Sequence, residues 1–173
     1  MAYSDTRRVV YLGLATGLAL GLHVFEAMIP IPIGVPGAKL GLANIVTLYV
    51  IMNFGTKNAV VVSILRTLLG SILSGTFPLP PFFFSFFGGL ISAIVMGLLY
   101  RYGSKYFSML GISLAGAVTH NLAQLTVAAF MVDTALIISY LPVMLSAALP
   151  TGVFVGMITI KINKHYAVGS PKR

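Results

Sequence analysis

The chain has 173 residues, of which 58% are hydrophobic and 8% charged, and its net charge is +8 at pH 7. A soluble domain is about a quarter charged, and chains stay disordered through low hydrophobicity, so neither class fits. With no Cys, disulfides, thiolate metal sites and Cys nucleophiles are excluded.

A helix needs about 20 apolar residues to cross the roughly 30 Å hydrocarbon core of a bilayer. Six segments are read as such helices: 9–29, 38–54, 57–77, 82–100, 107–132 and 136–160. None shows the strict alternation of a barrel strand. The fold class is therefore an all-α integral membrane protein, a bundle of six transmembrane helices in one domain, 1–173.

Span 1 runs past the length of a signal-peptide core without a small-residue cleavage site, so it is read as a retained helix. Gly13, Gly17 and Gly21 form one ridge of small residues, and Ala15 and Ala19 another. Such ridges let membrane helices approach closely. Two of them predict one for the bundle and one for a partner. His23 and Glu26 are three positions apart and share a face near the end of the span.

The connection Ile29-Pro-Ile-Pro-Ile-Gly-Val-Pro-Gly37 is apolar and stiffened by proline. Pro32, Gly34, Pro36 and Gly37 make it either a lid over the bundle or a tight link in the headgroup region. Span 2 opens with Lys39 and carries Asn44. Span 3 holds Arg66 near its middle. A second proline cluster, Pro78, Pro80 and Pro81, leads into Phe82, Phe83, Phe84, Phe86 and Phe87, which are read as bilayer anchors or as the lining of an apolar entrance. Span 5 carries His120, Asn121 and Gln124, with His120 and Gln124 on one face. Pro142 opens span 6, and Pro150 is expected to interrupt it.

Basic residues set the orientation. With the N-terminus in the cytoplasm, Arg7, Arg8, Lys57, Arg101, Lys105, Lys161, Lys164, Lys172 and Arg173 all lie inside. That is nine of the eleven. The sequence predicts a multi-pass protein of the cell membrane with both termini cytoplasmic, a lipid bilayer as its surroundings, and no nucleic acid as partner.

Charges inside a span cost about 2.5–3.5 kcal/mol each on insertion scales and mark functional sites. Glu26, Lys39 and Arg66 sum to +1, so a bound anion would complete the balance. The bland alternative has Lys39 snorkelling to headgroups and Glu26 pairing with Arg66. Asn44, His120, Asn121, Gln124 and His23 fall at the same projected depth, between the midplane and the outer surface. Each alone suits interhelical hydrogen bonding; their shared depth predicts a site open to the outside.

No Walker A motif is present. Asp5, Glu26 and Asp133 are the three acidic residues and lie more than twenty positions apart. Magnesium-dependent prenyl-diphosphate chemistry needs clustered aspartates, and oxygen-ligand metal sites need several carboxylates. No catalytic residue, metal site or cofactor is expected.

Pro36-Gly-Ala-Lys-Leu-Gly-Leu-Ala-Asn-Ile45, Arg66-Thr-Leu-Leu-Gly70 and the His120-Asn121 pair resemble the Gx transporter family. That family is also catalogued as heptaprenyl diphosphate synthase component I. It is similar to the substrate-binding S-components of energy-coupling factor (ECF) importers. The resemblance implies six helices and an outward pocket capped by loops. It also implies docking through small residues of the first helix onto a membrane scaffold subunit driven by two ATPases. The resemblance does not fix a substrate; with the charge balance above, the expected ligand is a small anionic or amphipathic molecule with an apolar part. Arg66 and Lys39 would hold the anion, Asn44, His120, Asn121 and Gln124 would supply hydrogen bonds, and Glu26 would hold the cations or a ligand donor. Two alternatives remain: an accessory membrane subunit of prenyl-diphosphate or quinone synthesis, and a membrane anchor in flavin- or quinone-linked electron transfer.

Overall fold

The computed structural model describes residues 5–28, 41–132 and 139–166. Lys39, Asp133 and the lid residues Pro32, Gly34, Pro36 and Gly37 lie outside them. Among the described residues there are six α-helices: α1 Asp5–Met28, α2 Asn44–Phe54, α3 Thr56–Leu73, α4 Pro80–Tyr102, α5 Met109–Val132 and α6 Leu141–Tyr166. α1, α3, α4 and α6 are each long and apolar enough to cross a membrane. α5, with 24 residues, has the length but carries His120, Asn121 and Gln124 at its centre.

Local chemistry explains several boundaries. Pro80 and Pro81 occupy the first positions of α4, where a missing N–H costs nothing. Ser74 ends α3 by returning its backbone N–H and its hydroxyl to the Gly70 carbonyl. Around that turn Phe82 stacks edge-on against Phe77 and Phe83 and lies near Phe86. Phe82 and Phe84 are buried, whereas Phe87 is exposed. Pro150 lies inside α6 without ending it, contrary to the expected interruption.

The second helix departs from the expected span of 38–54. Among the described residues it is helical only from Asn44 to Phe54. Gly41 has φ +86°, a left-handed conformation that breaks a helix and that glycine alone adopts freely. Eleven residues rise about 16 Å, roughly half the hydrocarbon thickness. This short helix packs against each of the other five, and eight of its eleven residues are buried. An all-round apolar helix belongs at the centre of a bundle, and that is where it sits.

Contacts fix the directions of the others. α3 and α4 run antiparallel, with Gly97 against Thr56 and Gly89 against Ser63. α4 and α5 are antiparallel through Gly88 against His120 and Gly116 against Met96. α1 runs beside α3 with His23 on Gly70. Thr159 of α6 donates to the Ile45 carbonyl and also to Val155, and Asn53 donates to Asn163. Asn44 meets Arg66 of α3 and Gly41 lies against His120 at the middle of α5, so the start of α2 is level with the middle of the bundle.

Two apolar clusters fill the interior. One gathers Val46, Leu48, Ile51, Ala59, Val62 and Met96 around α2, and the other joins Phe84, Leu125, Ala128 and Met144. In a bilayer such packing acts through dispersion and close approach, since lipid is as apolar as the core. A polar layer lies between the two clusters.

Candidate functional site

Arg66 is at the centre of that layer and is 3% exposed. Ten residues into α3, its guanidinium is carried to the depth where α2 begins. Nη2 donates to Asn44 Oδ1 at 3.2 Å and to Ser63 Oγ at 3.4 Å. Nε is buried with no hydrogen-bond partner. A guanidinium keeps its proton in proteins, and a buried donor left unsatisfied costs about 1–3 kcal/mol. The carboxylate of Glu26 acts on this charge electrostatically, but the hydrogen bonds of Nη2 go to Asn44 and Ser63.

Glu26 has its own task. Its Oε1 accepts from the Gly41 backbone N–H at 2.5 Å, tying the end of α1 to the entry of α2. His23, one turn earlier, lies against Gly70 of α3. Asn44, Glu26 and His23 are all buried.

The α2 N-terminus adds a field to this layer. It has no acidic residue in its first turn and no side-chain cap. A helix N-terminus carries a partial positive charge that favours anions, and half-helices ending at mid-membrane depth are used this way in transporters. α2 aims that end into the same layer as Arg66.

α5 closes the other side. Gln124 Nε2 donates to His120 Nε2 at 2.7 Å, and both residues are buried. They meet α4 at Gly88, where an added Cβ would lie 3.0 Å from His120 and 3.1 Å from Gln124. At Gly89 an added Cβ would lie 2.9 Å from Ser63 Oγ and 3.0 Å from Arg66 Nη2. These two glycines let α4 back Arg66 and His120 at once.

Of the residues singled out in the sequence, Arg66, Asn44, Glu26, His120 and Gln124 converge, with His23 behind them. Asn121 is turned elsewhere: its Nδ2 donates to the Met144 carbonyl of α6 at 2.7 Å. One residue along a helix is about 100° around it, so adjacent His120 and Asn121 face different neighbours. Sequence reasoning missed Ser63, Gly88 and Gly89. The paired glycines after the Phe cluster were the available signal, and Ser63 lies three positions before Arg66.

The two ridges of α1 separate. Ala19 is fully buried in the core, so a partner could touch it only if α1 moved. Ala15 is half-buried and lines a small apolar pocket with Tyr11 and Tyr49. Gly13, Gly17 and Gly21 face open space. Among the described residues no group of three or more His, Cys, Asp or Glu could hold a metal ion.

The family model for heptaprenyl diphosphate synthase component I matches residues 15–162. The chain belongs to this family. The matched region takes in Arg66, Asn44, Glu26, His120, Gln124 and the glycines behind them. No curated protein and no solved structure matches the chain. The family's description makes it one component among others, and the apolar helices make it a membrane protein.

Proposed function

We propose that this family member is the substrate-binding subunit of an ATP-driven importer of the ECF type, holding a small anion with an apolar part in the Arg66 layer. The observation that carries the reading is Arg66 itself: a buried, permanent cation whose Nε has no hydrogen-bond partner, set beside the N-terminus of a half-length helix that carries no side-chain cap. An Arg fork and a helix N-terminus are two recurrent ways of holding carboxylate or phosphate. Asn44, His120 and Gln124 orient the ligand, and Glu26 holds the entry of α2 in place.

In this reading Lys39 joins the anion site and residues Pro32, Gly34, Pro36 and Gly37 close over it from outside. α1, α3, α4, α5 and α6 each cross the cell membrane, α2 reaches from mid-depth to the cytoplasmic face, and both termini are cytoplasmic. The subunit is not an enzyme. Transport energy comes from two ATPases acting through a membrane scaffold, which docks on the open small-residue ridge of α1 at Gly13 and Gly17; the expected Ala15–Ala19 ridge is ruled out as it stands, since Ala19 is sealed in the core.

The family description favours a second reading, an accessory membrane subunit of prenyl-diphosphate synthesis. Its three acidic residues are dispersed, so the aspartate-rich chemistry would reside in a soluble partner. Affinity purification of the tagged chain from its own membrane separates the two. Recovery of a scaffold with two ATPases supports the importer. Recovery of a soluble synthase without them overturns it in favour of the second reading.

A further inference from the structure

The end of the bundle away from Glu26 holds a cationic feature that the Arg66 layer does not use. A cleft of about 500 Å³ opens between α1, the Gly55 turn and the end of α4. Three helices each bring one cation to its wall: Arg8, Lys57 and Arg101. Ile51 and Phe54 give it an apolar side. Among the described residues no acidic side chain lines it. α3 also begins at this cleft, with no acidic residue in its first turn, and its dipole adds to the positive field.

The cleft does not end at the cations. Asn58 lines both it and a groove of about 470 Å³ that runs between α1 and α3. Leu12, Val61 and Leu65 wall the groove. Gly13 and Gly17 lie along it with open space where a side chain would stand. From Val9 to Leu20 the α1 wall rises about 17 Å, close to the hydrocarbon depth of one leaflet, roughly 15 Å. Val61, Leu65 and Leu69 are exposed along it, so the groove is open sideways to lipid.

We propose that this composite site binds one anionic phospholipid, with its phosphate among Arg8, Lys57 and Arg101 and one acyl chain laid over Gly13 and Gly17. The charge of the cleft selects an anionic head, and the length of the groove matches a chain confined to one leaflet. A polyprenyl chain is longer than the groove and is the rival occupant. The site stands independently of the ligand reading for Arg66. In the free subunit the acyl chain covers the Gly13–Gly17 ridge, so a partner helix docking there must displace it.

The test is native mass spectrometry of the full chain titrated with phosphatidylglycerol or phosphatidylcholine in equal amounts. Phosphatidylglycerol should be retained in preference. The variant R8Q/K57Q/R101Q should lose it by roughly a hundredfold. K161Q/K164Q removes two cations of α6 that do not line the cleft and should leave retention unchanged. G17L fills the groove without touching a charge and should lower retention about tenfold, the chain contact being lost. Equal losses in the two charge variants would reduce the effect to general membrane attraction and overturn the site. Unchanged retention in G17L would remove the acyl chain from the groove. Displacement of phosphatidylglycerol by equimolar farnesyl diphosphate would replace the proposed occupant with a prenyl phosphate.

Discussion

Lys57 and Arg66 stand on the same helix, nine positions apart, and the protein treats them in opposite ways. Lys57 is exposed at the start of α3 in an open cleft shared with two other cations. Arg66 is buried beside Asn44 and Ser63 and is backed by a glycine of α4. At the first place charge is cheap and follows membrane topology. At the second it costs desolvation that the surrounding hydrogen bonds only partly offset. A costly charge calls for a function, and an abundant one calls for a specific shape before a function is assigned to it.

Several substitutions would break or sharpen that contrast. The largest effect belongs to R66A, which should lower retention of a bound small anion by about a hundredfold or more, because truncating one partner of a buried charge pair costs several kcal/mol. R66K should not restore it, since the planar fork is lost. G89A comes next. Its Cβ would press on Ser63 Oγ and Arg66 Nη2, and a crowded contact of this kind costs about 1–3 kcal/mol. Anion retention should fall about tenfold and thermal stability in detergent should drop with it.

N121A should be smaller and differently shaped. It removes the bond to the Met144 carbonyl, worth roughly 0.6 kcal/mol by the average for such membrane contacts. Melting should shift slightly while anion retention stays put; a large loss of retention would extend the site toward α6. G13A should do least. Nothing lies within 4 Å of the added Cβ, so stability should stay within about 0.5 kcal/mol in a melting series.

The helical class was legible in the sequence because apolar runs of spanning length leave few other structures. The grouping of Arg66, Asn44, Glu26, His120 and Gln124 was legible from depth alone. Depth says nothing of azimuth, which is why Asn121 was grouped with His120 although it faces α6. The short α2 was hidden for another reason. Leu40-Gly-Leu-Ala reads as a continuation of the apolar run, and only the positive φ of Gly41 shows that the helix begins at Asn44. Gly88 and Gly89 escaped notice because a glycine's role as a backing surface depends on what packs against it. Ala15 and Ala19 looked alike by spacing, yet one is half-buried and the other sealed in the core.

The central claim is that the Arg66 layer holds an anion. Its most direct test is native mass spectrometry of wild type and R66A, each taken gently from its own membrane and checked for equal melting. The account predicts a small anionic molecule retained on the wild type and absent from R66A. A folded R66A that keeps the same molecule would contradict it.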